Sequence, residues 1–406
     1  MTHVLYVHQN FPAQFGHIAA YLAREHGWEC TFVSQRDPGT IQGIRLVKYT
    51  SAGGATEKTH YFSRSFENAV WHAAGVYEAL KPLREELRPD LIVGHSGFGS
   101  TLFLPELFPE APVINHFEYF YRGHGSDLDF RPDWPVPEED VLRTKARNAM
   151  VLLDLQYCAA GYSPTHFQHE LLPEAYRPKV RVIHDGVDTA FWRRREPNDQ
   201  VVEALRLPPG GRVVTYVSRG LEAMRGFDIF MRMAKRVLER RPDTTFLVVG
   251  SDRVAYGGDL RHIRERSFRE HVLSRDEYDL DRFRFLGNVR PEVLVHLLSL
   301  SDLHVYLTVP FVLSWSLLDA MACERVVLGS DTAPVREVIR DGENGLLRDF
   351  FDVDGLAEAA LGVLDDPASF HRLGGAARRT IEERYGMGVV IPQMLDLYRS
   401  VPAGVR

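Results

Sequence analysis

The stretch RVVTYVSRGLEAMRGFDIF, residues 212–230, decides the fold. A continuous apolar run with β-branched and aromatic bias gives way to a glycine-containing turn and then to a helical pattern. A strand apolar on both faces that feeds a helix through a short turn is the unit of a parallel sheet buried on both sides. The turn also carries two arginines, Arg219 and Arg225, with Glu222 as the one carboxylate between them.

The same unit recurs on either side. In the first half the runs are HVLYVH (3–8), ECTFVS (29–34), DLIVGH (90–95), APVINH (111–116), YCAAGYS (157–163) and VRVIHDG (180–186). After residue 212 they are TTFLVVG (244–250), RFRFLGN (282–288), LHVYLT (303–308) and RVVLGS (325–330). Between the two sets lies RRREPNDQVVEALRLPPGG (193–211), charged and proline-rich, with two glycines before a fresh strand. That composition marks a domain boundary. The expectation is an α/β protein of two Rossmann-like, doubly wound parallel-sheet domains facing across a cleft. Its domains are 1–195 and 205–387.

At 406 residues the chain is too long for one ordinary core. Apolar content of 45% and charged content of 25% suit a soluble enzyme. A formal net charge of -7 argues against nucleic acid as a partner. No apolar run reaches the ~18–20 residues of a membrane span, and MTHVLYVHQN lacks the pattern of a secretory signal. Cys30, Cys158 and Cys323 stand far apart, which suits a reducing cytoplasm and neither a disulfide framework nor a zinc site. RRR (193–195) and RTKAR (143–147) lie on no obvious amphipathic helix, so membrane contact is at most weak and peripheral, at the inner face.

Ligands of doubly wound sheets bind beyond the carboxyl ends of the strands, so the residues there carry the functional weight. Guanidinium groups pair with phosphates through parallel hydrogen bonds, and a strand-to-helix turn adds free amides. Arg219 and Arg225 therefore suit a diphosphate, against the plain alternative of two solvated loop cations. In TVPFVLSWSLLDAMA (308–322), Ser314 or Ser316 can cap a helix and aim amides near Ser314 and Trp315 at an anion. Asp319, further along it, can accept from ribose hydroxyls, or be a surface carboxylate. Trp315 reads as a packing residue. Gly16, after the first strand, allows a ligand close to the backbone, and Gly250 ends the strand TTFLVVG. In INHFEYFYRGHG (114–125), His116 stands at a strand end with Glu118, and Tyr121 pack toward His124. A histidine there suits hydrogen bonding or proton transfer, or a loop network. No metal-binding, Walker A or nucleophile-elbow motif is present.

Taken in order, VIHDGVDTAFW (182–192), SRGLEAMRGFD (218–228), FLGNV (285–289), the Ser314–Asp319 helix and VIRDGENGLL (338–347) resemble the family 4 glycosyltransferases, the large retaining group with the GT-B fold. The resemblance implies metal-independent, retaining transfer of a sugar from a nucleoside-diphosphate sugar, UDP- or GDP-linked, to a glycan, lipid-linked or small-molecule acceptor. No resident cofactor is implied, and the usual setting is bacterial polysaccharide or glycoconjugate synthesis. The N-terminal domain would hold the acceptor, with Glu118, Tyr121 and His124 as acceptor-side candidates, and a last helix within about 388–406 would pack back on it. Arg219 and Arg225 match the family's cation pair on the diphosphate, with arginine where lysine is usual. Gly16 matches the loop after strand one, His116 the histidine near the reacting sugar, Val289 the backbone contact to the base, and Asp319 the acid on the ribose. Phe311 stands where the family usually has a glutamate on the donor sugar. A sugar-nucleotide epimerase or hydrolase on the same fold, or a non-catalytic GT-B binding subunit, are the alternatives.

Overall fold

The structure is a computed structural model that describes residues 2–36, 39–196 and 198–402. The chain divides into two compact units. The first comprises residues up to Asp129, Pro135–Gly186 and the chain from Gly388; the second comprises Phe130–Trp134 and Val187–Met387. The last residues of the expected terminal helix, 403–406, lie outside the described residues.

The first unit holds β1 (His3–Val7), β2 (Glu29–Ser34), β3 (Ile44–Lys48), β4 (Leu91–His95), β5 (Val113–His116), β6 (Ala160–Ser163) and β7 (Val180–Val182), in the order β3-β2-β1-β4-β5-β6-β7. The second holds β8 (Arg212–Gly220), β9 (Thr244–Ser251), β10 (Phe283–Gly287), β11 (Leu303–Tyr306), β12 (Val327–Ser330) and β13 (Leu346–Arg348), in the order β10-β9-β8-β11-β12-β13. Neighbouring strands pair in parallel in both sheets. Each order reverses once, between β1 and β4 and between β8 and β11. These are the topological switch points at which doubly wound sheets bind ligands.

Every apolar run read from the sequence contains one of these strands. Two strands were not among those runs. β3 is an edge strand whose residues are all partly or fully exposed, so it lacks the continuous apolar signature. β13 is three residues long, below the length at which a pattern can be seen. The central strands are the opposite case: β1 is buried at all five positions.

The division between units falls after Gly186, ahead of the charged segment 193–211 that marks a boundary by composition. Hydrogen bonds explain the difference. The Val187 amide donates to the Tyr385 carbonyl at 2.8 Å, and the Met387 amide donates to the Val187 carbonyl at 3.0 Å. Residues from 187 onward are thereby tied into the second unit. The helix Met387–Ser400 buries Val390, Ile391, Met394, Leu395, Leu397 and Tyr398, a stripe at helical spacing, and from Gly388 it belongs to the first unit. Arg181 meets its Asp396 at 2.6 Å. No helix among the described residues is long and apolar enough to cross a membrane.

Candidate functional site

At the switch point of the second sheet, β8 ends in the turn that carries both arginines. Gly226 opens the helix Phe227–Arg240 with a φ of 63°. A Cβ there would stand 2.8 Å from the Leu307 Cβ, so the turn can pack on the end of β11 only with glycine at this place. The helix then buries Phe227, Ile229, Phe230, Met233, Ala234 and Val237 against the sheet.

Arg225 is 3% exposed. Its guanidinium donates to the Tyr306 hydroxyl (3.3 Å), Thr308 Oγ1 (2.8 Å) and the Val312 carbonyl (2.9 Å), and the Tyr216 hydroxyl donates to its carbonyl oxygen (2.8 Å). All these partners are neutral, and no carboxylate oxygen of a described residue lies within 4.0 Å of it. An arginine has five N–H donors. Nε–H and one Nη2–H of Arg225 therefore remain without an acceptor among the described residues. Arg219 is exposed and donates to the Tyr256 hydroxyl at 3.4 Å. The structure brings the two arginines to one ring: their guanidinium carbons lie 5.7 Å and 5.4 Å from the centroid of Tyr256.

Glu222, the one acid in the turn, pairs with neither arginine. It is fully buried, and its Oε2 accepts the amides of Ala255, Tyr256 and Gly257 at 2.9, 2.9 and 3.0 Å. It thereby fixes the loop that carries Tyr256. Asp259 Oδ2 accepts the Ala223 amide at 3.0 Å, and its carboxyl is pushed up to about 7, first by burial and also by the charge of Glu222. A residue far upstream completes the turn. Arg131 forms a two-pronged pair with Asp228 (2.9 and 2.7 Å) and donates to the Ala223 carbonyl (3.0 Å). The sequence gives no sign of Arg131; its partner Asp228 lies within the SRGLEAMRGFD motif.

Ser314 caps the helix Trp315–Ala322, accepting from the Ser316 amide. The Ser316 hydroxyl is engaged internally, by the Val217 carbonyl (3.1 Å) and Ser314 Oγ (3.1 Å), so it holds the helix on β8 and is not a free donor. Trp315 is 49% exposed, not the packing residue its sequence setting suggests. Asp319 is buried, not on the surface. Burial lifts its carboxyl well above the usual range, and its side chain makes no hydrogen bond with a described residue. Val289 is half-buried after β10, and its main chain enters no hydrogen bond among the described residues. Phe311 is buried with its ring 5.6 Å from Tyr256 and 5.8 Å from the Arg225 guanidinium. Gly250 is a packing glycine, since a Cβ would stand 2.6 Å from the Ser218 carbonyl oxygen of β8.

In the first unit a group of histidines ends the strands at the switch point. His8 follows β1, His95 ends β4 and His116 ends β5, with ring centroids 5.1 Å (His8–His95) and 4.9 Å (His95–His116) apart. His116 is 0% exposed, enclosed by Phe15, His95 and Tyr162, with Asp185 at 3.5 Å. It is therefore a buried residue and not a group at a ligand surface, and burial and the neighbouring His95 hold it well below its ordinary value. Burial likewise depresses His8 to about 3 and His184 to about 4. Only His95 goes the other way. Burial works against its charge, but the hydrogen bond and charge of Glu118, 3.6 Å away, outweigh that and raise it. Burial would lift Glu118 in turn, and His95 more than reverses this, leaving it low.

His95 and Glu118 line a cavity of about 310 Å³ together with Gln9, Asn68, Tyr121 and Arg147. His124 is not part of it: its side chain is 79% exposed and sits 3.6 Å from Asp129. Gly16 is packed by its own chain, since a Cβ would stand 2.5 Å from the Pro12 Cβ. His8 and Arg147 were not singled out as site residues from the sequence. The signal for the histidines was present, because HVLYVH, DLIVGH and APVINH all end on one.

Known proteins resemble this chain. Residues 26–192 match the family model Glycosyl transferase family 4 group, and residues 211–366 match Glycosyl transferases group 1. N-acetyl-alpha-D-glucosaminyl L-malate synthase of Bacillus anthracis is 24% identical across 60% of this chain and 59% of its own length. Phosphatidyl-myo-inositol mannosyltransferase of Mycolicibacterium smegmatis is 30% identical across 55% and 53%. The chain thus spans less than two thirds of the length of these curated relatives. Anabaena HepE, solved in complex with UDP-glucose, has the same fold with a TM-score of 0.71 at 16% identity, covering 98% of this chain and 100% of that one. With one family model on each unit and two sheets of this order, the chain belongs to the family 4 glycosyltransferases of GT-B fold.

Proposed function

We propose that the protein transfers a hexosyl group from a nucleoside-diphosphate sugar, UDP- or GDP-linked, to an acceptor hydroxyl, with retention at the anomeric carbon. The observation that carries this reading is Arg225: a buried cation at a switch point, held only by neutral groups, with two N–H donors unused. A diphosphate supplies the missing acceptors and the missing charge. Arg219, exposed beside the same Tyr256 ring, adds a second cation.

As the anomeric C–O bond breaks, negative charge grows on the leaving diphosphate. Cations fixed in place stabilise that charge without reorganising, which is the usual source of the largest catalytic term. The acceptor oxygen forms the new bond on the same face, and its proton passes to the departing phosphate oxygen. Neither an enzyme nucleophile nor a divalent cation is required, so turnover is expected to survive EDTA. The buried Asp319, whose carboxyl burial lifts well above the usual range, can accept from ribose hydroxyls, and the main chain of Val289 is open to the base. Ser314 shapes the helix start, and Trp315 is exposed there. His116 acts as support beneath His95, not as a contact to the sugar. The wider setting in this reading is polysaccharide or glycoconjugate synthesis.

Thermal melting with UDP, GDP, ADP, CDP and TDP, alone and as glucose or mannose conjugates, tests the reading. Ligand at 100 times its dissociation constant adds about 2.7 kcal/mol. One nucleoside is expected to stand out, with its shift abolished in Arg225→Ala. No shift with any of them would overturn the assignment.

A further inference from the structure

The cavity in the first unit lies where the switch point of that sheet places a ligand. Gln9 follows β1, His95 ends β4 and Glu118 follows β5. Its volume of about 310 Å³ is at the lower end of small-molecule sites, roughly 300–1,000 Å³, and admits a compact ligand. The loop that shapes it is set by Gly99, with a φ of 74°, where a Cβ would stand 2.0 Å from the Ala69 carbonyl oxygen.

Its charges do not cancel. Glu118 is matched by His95, the one histidine of the group whose surroundings favour the charged form. His72, also in the wall, is kept toward neutrality by burial. Arg147 is left over. Its guanidinium carbon lies 3.6 Å from the Tyr121 ring centroid, which fixes its place, yet it makes no ion pair and no side-chain hydrogen bond with a described residue. Asp127, which is not in the wall, feels the charge of Arg147, but its carboxyl is pushed up by burial and accepts from the Tyr119 hydroxyl at 2.7 Å. Arg143, next along the helix, stacks on Tyr61 instead, 4.4 Å from that ring's centroid. The cavity therefore holds one positioned guanidinium with all its donors unused and one half-buried carboxylate that only accepts.

We propose that this cavity takes the acceptor substrate, and that the acceptor is a small hydroxylated molecule bearing a carboxylate or phosphate: Arg147 binds the anionic group and Glu118 accepts a hydrogen bond from a hydroxyl. This rests on the transferase reading above. Glu118 orients the hydroxyl and does not take its proton, because a carboxylate held ionised by His95 is a weak base. A long neutral glycan end would leave Arg147 without a partner.

The experiment uses the full chain and four probes: L-malate, glycerol 3-phosphate, glycerol and inorganic phosphate. L-malate or glycerol 3-phosphate is expected to raise the melting temperature where glycerol does not. A response to the first alone identifies a carboxylate as the anion, and to the second alone a phosphate. Arg147→Gln is expected to weaken that binding by about tenfold or more, with Arg147→Lys intermediate. Glu118→Gln should weaken glycerol 3-phosphate but not inorganic phosphate. The nucleoside-diphosphate melting shift must persist in all three variants, which also shows that they fold. Equal binding of glycerol, no response to either anionic probe, or an undiminished response in Arg147→Gln would overturn the proposal. Failure of the wild-type protein to respond to any nucleoside diphosphate would instead overturn the transferase reading.

Discussion

The two sheets share a strand order and differ in how they treat charge at their switch points. The second unit surrounds Arg225 with two hydroxyls and a carbonyl. The first pairs His95 with Glu118. Neutral partners fix a cation without spending its charge, whereas acid–base pairs cancel each other and leave only what lies outside them. One end is therefore suited to a strong anion, and the other to a hydroxylated molecule whose anionic group falls to Arg147.

The contrast can be broken in several places. The largest effect is expected from Arg131→Ala, which leaves the partly buried Asp228 without its main partner and frees the Ala223 carbonyl. Removing one member of such a pair costs about 3 kcal/mol or more, read by urea unfolding of the second unit. An unchanged midpoint would mean that the turn is held by its own sheet alone. Next is Thr308→Asp, which gives Arg225 the carboxylate it lacks. Nucleoside-diphosphate affinity should fall about 100-fold, roughly 2.7 kcal/mol, with the melting temperature of the free protein preserved. Undiminished affinity by calorimetry would show that the phosphates sit elsewhere.

A third effect concerns pH. Asp259 titrates at about 7 in the folded protein against an ordinary value near 4, so its neutral form is the one that folding favours. Its contribution is complete below about pH 4 and is lost as the pH rises toward 7, by at most about 1.4 kcal/mol per unit. Asp259→Asn should flatten that part of the stability profile; an unaltered slope would place the titrating group elsewhere. The smallest change is local. In Glu118→Gln, burial acts on His95 without its opposing carboxylate, so NMR titration should find the ring below its ordinary value instead of above it.

The central strands were legible because burial on both faces writes itself as an apolar run, and edge strand β3 was not because half of it meets water. Arg219 and Arg225 were legible as cations in a turn. Their partners were not, since nothing in the spacing says that Glu222 turns away to three amides or that Tyr256 lies beside both. His116 stood out by its place at a strand end, yet position along a strand does not reveal depth, and it is His95 that lines the cavity. Arg147 and Arg131 are set by packing between segments far apart in sequence, which no single-sequence pattern encodes.

The helix Met387–Ser400 has a consequence for how the chain is made. The second unit is complete once residue 387 has been synthesised, but the first, whose strands are made earlier, lacks its Val390, Ile391, Met394 and Tyr398 until those residues follow. During translation the earlier-born unit is thus the last to close, and its apolar face waits through about two hundred residues of synthesis, a period in which exposed apolar surface invites aggregation or chaperone capture. A nonsense codon near residue 386 would leave the sheet of the second unit whole and the first unit open along one side.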